Sequence, residues 1–173
     1  MWQIEDIIRA NNLDIEKIKE NVIDRFNLDD AQRREMTEWY ESLIDMMRRE
    51  DVVKSGHLQI NKNVIIQLVQ LHRALLADPR FAEYSAEFYR TLPFIVELRA
   101  KAGENPAGEI ETCFNALYGM LMMRLQSKEV TPETANAIAQ ISRFIALLAH
   151  YFKLDDEDRL FNPDNNGDDK GSV

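Results

Sequence analysis

The stretch ANAIAQISRFIALLAHYF, residues 135–152, decides the fold. Wrapped at about 100° per residue, it sorts into three sectors. Ala135, Ala139, Ser142, Ala146 and Ala149 form a small-residue stripe. Beside it runs a bulky arc of Ile138, Ile141, Ile145, Leu148 and Phe152, widened by Phe144 and Tyr151, while Asn136, Gln140, Arg143 and His150 take the remainder. Two apolar sectors and one narrow polar one predict a helix buried over most of its circumference, in a bundle with one close helix contact.

The preceding segment has the same design. Gly108, Thr112, Ala116 and Gly119 make a second small stripe, opposite Ile110, Phe114, Leu117, Leu121 and Leu125. Asn105 and Pro106 read as cap and first turn of this helix, and Thr131, Pro132 and Glu133 repeat the device for the next. Residues 127–130 can only turn the chain, so the two helices are expected to form an antiparallel hairpin packed through their small stripes. The competing arrangement puts one small stripe at a homodimer interface.

Five further helices are expected upstream. Trp2, Ile4, Ile7 and Ile8 open the first, which Asn11 and Asn12 close. Asp14 caps a second carrying Ile15, Ile18, Val22 and Ile23, and residues 27–30 break and recap the chain for a long third, with Gly56 marking its end. Asn61 or Asn63 is the expected cap of the fourth, which Asp78 and Pro79 close. The fifth, Phe81 to Ala102, contains Pro93, which predicts a kink or break near Leu92 before Gly103 ends the region. The class is therefore all-α: a single-domain bundle of about seven helices over residues 1–154, followed by an acidic disordered tail over residues 155–173.

Composition bounds what the chain can do. At 173 residues and 45% apolar content it can bury a sizeable core. The net charge is −9, of which residues 155–173, with seven acids and two bases, carry −5. An acidic chain repels phosphate backbones, so neither nucleic acid nor an anionic membrane is an expected partner. The single Cys113 excludes an intrachain disulfide. The opening residues 1–6 show no basic region before an apolar core, and no apolar run approaches the roughly 20 residues of a membrane span, so a soluble cytoplasmic protein is expected.

Reactive constellations are missing from the sequence. The residues three before His57, His72 and His150 are Lys54, Val69 and Leu147, so the Glu-x-x-His pairs of di-iron bundles do not occur, nor does a His-x-x-x-His zinc pair. His72 shares an apolar face with Ile65, Leu68, Val69 and Leu76 and reads as a hydrogen-bonded core histidine; His150 reads as solvated, and His57 sits in a linker without an evident partner. Cys113 reads as a core thiol, and the methionines at 46, 47, 120, 122 and 123 as core filler. No metal or cofactor is expected.

One polar group stands out. Glu111, Asn115 and Tyr118 fall within about 60° of helical arc, between the bulky and small faces. Glu97 and Arg99, beyond Pro93, are their expected partners, either as an internal network that fixes helix register or as the polar side of a small-molecule pocket.

Several segments also have a familiar wording: MWQIEDIIRANN, EWYESLIDMMRRE, GHLQINKN, LPFIVELRAKAG and EIETCFNALYGMLMMRLQ with its continuation VTPETANAIAQISRFIALLAHYFKL. Together, over Met1 to Leu154, they resemble a family of uncharacterised bacterial all-helical proteins classed as a domain of unknown function. The resemblance implies a soluble helical fold and no assigned activity, cofactor or catalytic residue. It also implies a further helical stretch before the position of Met1.

Three functions follow as expectations. The leading one is a non-catalytic protein that binds a protein partner or itself as a homodimer, with Trp39 and Tyr40 as aromatic anchors. The alternative is a small-molecule-binding or sensory bundle that uses the patch on the helix at 107–127. An enzyme working through two carboxylates of divergent pKa comes third.

Overall fold

The structure, a computed structural model, describes residues 1–103, 106–157 and 160. Seven α-helices occur among them: α1 Trp2–Ala10, α2 Ile15–Asn21, α3 Asp30–Arg49, α4 Gln59–Ala77, α5 Ala82–Lys101, α6 Glu109–Leu125 and α7 Pro132–Asp156. Short 3-10 turns follow α2, at Ile23–Arg25, and α4, at Pro79–Phe81. The fold is all-α, and no helix among the described residues is long and apolar enough to cross a membrane. Packing divides the chain into two compact units, Met1–Val64 and Ile65–Val173, each with its own buried cluster.

Local chemistry sets several helix ends where the sequence predicts them. Asp14 accepts from the Glu16 amide at 3.0 Å, and Asp29 and Gln32 form a reciprocal capping box at the start of α3. Thr131 accepts from the Thr134 amide to open α7. Gly103, at φ +91°, follows the last residues of α5 in the left-handed conformation that glycine adopts without strain.

Other ends differ. The end of α3 is Arg49, and Gly56 lies in the following loop. The expected caps Asn61 and Asn63 lie inside α4, which starts at Gln59. Carboxylates from elsewhere in the chain cap it instead: Glu5 of α1 accepts from the Leu58 amide at 2.9 Å, and Glu50, just past α3, accepts from the Gln59 amide at 2.6 Å. Negative side chains at that positive helix end are favourable through the helix dipole. Pro93 does not break α5, which runs through it from Ala82 to Lys101. Both Pro93 and Tyr89, whose carbonyl the proline leaves without an amide donor, are exposed, so water can satisfy the orphan. Asn105 lies outside the described residues, and α6 begins later than expected, at Glu109 behind an N-cap Gly108.

The core of the first unit gathers Ile8, Ile18, Ile23, Leu43, Met47 and Leu58. Tyr40 joins it at 3% exposure, so it cannot anchor a partner; its neighbour Trp39 is 42% exposed. Arg9 ties α1 to the loop after α3 through the Val52 and Gly56 carbonyls.

In the second unit α5, α6 and α7 pack on one another, and Leu68, Leu71 and Leu75 of α4 join their buried cluster. The antiparallel hairpin of α6 and α7 is present, joined through residues 126–131, but its packing face is not the expected one. Gln140, Ile141, Phe144 and Leu148 are buried, whereas Ala135, Ala139, Ser142, Ala146 and Ala149 are all exposed. Buried area explains the choice, since bulky side chains gain roughly 25 cal/mol for each Å² of apolar surface removed from water and alanines have little to remove. Gln140 enters the core with partners: its amide donates to Glu87 at 2.7 Å and to the Thr91 hydroxyl at 3.1 Å.

Candidate functional site

The second unit holds a pocket of about 320 Å³ lined by Val69, His72, Arg73 and Leu76 of α4, Arg99 near the end of α5, and residues 108–110 at the start of α6. Periodicity places the α4 group, because positions 69, 72, 73 and 76 recur at the helical spacing of three and four. Val69, Leu76 and Ile110 make the walls apolar, and His72, Arg73, Arg99 and Glu109 supply the polar atoms.

His72 is 4% exposed and packs edge-on against Tyr84, Phe88 and Phe144. Its Nδ1 lies 2.6 Å from the Tyr84 hydroxyl. Burial holds the Tyr84 phenol far above its ordinary pKa, so the hydroxyl keeps its proton and donates to Nδ1. Burial likewise lowers the His72 pKa, against the opposing charge of Glu109. A neutral ring that accepts at Nδ1 carries its proton on Nε2. That atom is paired with Glu109 Oε2 at 3.7 Å.

Arg99 also lines the pocket. Its Nε is buried and finds no acceptor among the described residues. The start of α6 lines it too, and there Gly108 has no side chain with which to cap the first turn. Cys113, one turn beyond Glu109, is fully buried, and its thiol is pushed up to about 12, first by burial and then by the charge of Glu109. Such a thiol is no nucleophile at neutral pH. No group of three or more His, Cys, Asp or Glu that could hold a metal occurs among the described residues.

Of the five residues singled out from sequence, Arg99 is the one that lines this pocket. Glu97 is exposed and pairs with Lys101 at 2.6 Å on its own helix. Asn115 is exposed, while Glu111 and Tyr118 are half-buried. Arg99 forms no hydrogen bond or ion pair with Glu111 or Asn115. His72 and Glu109 were legible only in part: the histidine as a hydrogen-bonded core residue, the glutamate as a first-turn acid. What brings them together is the approach of α4 to the start of α6 in the folded unit, which leaves no trace in local spacing.

The first unit holds another buried polar group, Glu5, at 0% exposure. Its carboxylate accepts from the Leu58 amide and from Asn61 Nδ2, and Oε2 lies 2.6 Å from His57 Nδ1. Trp2 stacks on the His57 ring with centroids 4.5 Å apart. His57 therefore has two partners where the sequence showed none. Three partners on its two oxygens mark the cluster as a structural fastening of α1.

The chain belongs to the family described as Domain of unknown function (DUF4924), whose model matches residues 1–159. Comparison with curated proteins and with solved structures gave no match.

Proposed function

We propose that this chain is a non-catalytic binding protein that takes a small molecule into the pocket formed by α4, the end of α5 and the start of α6. The observation that carries the reading is the pocket itself, in which Arg73, Arg99 and His72 are set among the apolar Val69, Leu76 and Ile110. The volume, about 320 Å³, falls in the ordinary range of ligand pockets. The high pKa of the Cys113 thiol supports binding over nucleophilic chemistry.

A second reading, self-association, is favoured by a separate observation. The exposed Ala135, Ala139, Ser142, Ala146 and Ala149 alternate in steps of four and three, the spacing of a coiled-coil seam. The stripe is also self-complementary: in an antiparallel pair centred on Ser142, Ala135 meets Ala149 of a second copy and Ala139 meets Ala146.

Native mass spectrometry of the full chain, purified from its own source and sprayed at several concentrations, tests both. An adduct of defined mass that is lost in Arg99→Met supports the pocket reading. A dimer growing with concentration supports the second reading. A bare monomer at every concentration, with no adduct, counts against both.

A further inference from the structure

We infer that two copies of this chain associate through the outer face of α6, with the two helices antiparallel. Phe114, Tyr118, Leu121 and Leu125 lie along one face of α6 in steps of four, three and four, the spacing of a seam between paired helices. Phe114 packs in part against the core of its own unit, but Leu121 and Leu125 remain 38% and 61% exposed. The inference is independent of the pocket. It shares with the second reading above only the pairing of two copies, and assigns that pairing to large apolar side chains, which gain more from burial than the alanines of α7 do.

The distribution of charge selects a second copy as the occupant. Glu111 stands in the first turn of α6, Arg124 in its last turn and Lys128 just past its end. None of the three forms an ion pair among the described residues. A two-fold axis between Gly119 and Met120 sets Leu121 against Tyr118 of the second copy, Leu125 against Phe114 and Lys128 towards Glu111, and symmetry makes each contact twice. The face therefore carries its own complement: the acidic start of each helix meets the basic end of the other, and the two helix dipoles oppose. A parallel pair sets Glu111 beside Glu111 and aligns the dipoles, so it is disfavoured. The 17 residues of α6 give a footprint about 26 Å long and about 10 Å wide, smaller than the roughly 800 Å² that each partner contributes to a standard interface. The pair is accordingly weak and reversible.

Sedimentation equilibrium of the full chain, from micromolar to millimolar concentration, tests the inference. The expected result is a dimer that forms with concentration, whose dissociation constant rises at least about tenfold in Leu125→Lys and is unmoved in Ser142→Arg on α7. Both changes fall at exposed positions, and thermal melting at low concentration verifies that each variant is folded. Glu111→Lys and Lys128→Glu should each weaken the dimer, and the two together should restore it, a recovery that neither misfolding nor a generic apolar contact produces. A monomer at every concentration overturns the inference. So does a dimer that Leu125→Lys leaves intact, and if Ser142→Arg dissociates that dimer, pairing through α7 stands in its place. Failure of the double exchange to restore the dimer overturns the antiparallel arrangement and the inference with it.

Discussion

Glu5 and His57 are 52 positions apart in the chain, yet the carboxylate Oε2 and the imidazole Nδ1 lie 2.6 Å apart. The same carboxylate takes the Leu58 amide and the Asn61 side chain on its other oxygen, and so fixes α1 to the start of α4. A fully buried carboxylate with three donors is a strong local constraint, because its removal strands donors that water reaches poorly. We predict that Glu5→Leu destabilises the protein by about 3 kcal/mol, and Asn61→Ala by only about 1, since the latter loses one contact of the three. Urea denaturation measures both. An unchanged midpoint for Glu5→Leu would show that the fastening contributes nothing to stability.

The His72–Tyr84 pair of the second unit makes stability depend on pH. Burial lowers the His72 pKa below its ordinary 6.5, with the Arg73 charge adding to the lowering and Glu109 opposing it. The unfolded chain therefore binds a proton before the folded one does. Stability from this source is complete above about pH 6.5 and is lost progressively as pH falls from there toward the folded-state value. We expect the melting temperature to drop between pH 7 and pH 5.5. The double variant His72→Phe, Tyr84→Phe, which replaces both partners by apolar rings, should melt near the parent at pH 7 and show a shallower drop. Tyr84→Phe alone strands Nδ1 and is expected to cost about 1–3 kcal/mol at pH 7. Identical pH slopes in parent and double variant would assign the effect elsewhere.

Sequence reading succeeded where one short segment contains both partners. Asp14 with Glu16, Asp29 with Gln32 and Thr131 with Thr134 each close a cap within three residues, so the residue types announce the geometry. It failed where the partner arrives from another element. The α4 cap comes from Glu5 and Glu50, and no local pattern connects a glutamate in α1 with an amide at Leu58. The α7 helix shows a subtler limit: two of its sectors are apolar, so periodicity establishes a helix but leaves open which sector faces the core. The bulky arc wins by area, and the alanines turn outward. For the candidate pocket, Arg99 was identified from its place after Pro93, but its pocket neighbours His72 and Glu109 belong to helices that meet only in the folded unit.

Pro93 offers a direct measure of what an interior helix proline costs here. It sits in the middle of α5 on the exposed side, where its ring displaces one backbone hydrogen bond without disturbing buried neighbours. Pro93→Ala restores the amide donor to the Tyr89 carbonyl and removes the ring clash, gains that together amount to about 3 kcal/mol in helix interiors. Loosening of the unfolded chain returns somewhat less than 1 kcal/mol of that. We expect a net stabilisation of about 2 kcal/mol, read as a higher urea midpoint at unchanged slope. A destabilised variant would mean that the proline is required for α5 to pack on α6 and α7.

Ala146 separates the two possible uses of the α7 stripe. Were it buried in the hairpin, as the small-residue pattern suggested, Ala146→Leu would overpack the contact and cost about 1–3 kcal/mol. It is exposed, so in dilute solution the variant should melt within about 0.5 kcal/mol of the parent. The informative regime is high concentration. A seam of alanines lets two helices approach closely, and a leucine in the middle of that seam, or an arginine in Ser142→Arg, holds them apart. If copies of the chain pair through α7, sedimentation should show a parent dimer that both variants dissociate while a distant exposed change such as Glu83→Gln does not. A parent that stays monomeric throughout would leave the stripe as an ordinary solvated helix face and remove the case for self-association through it.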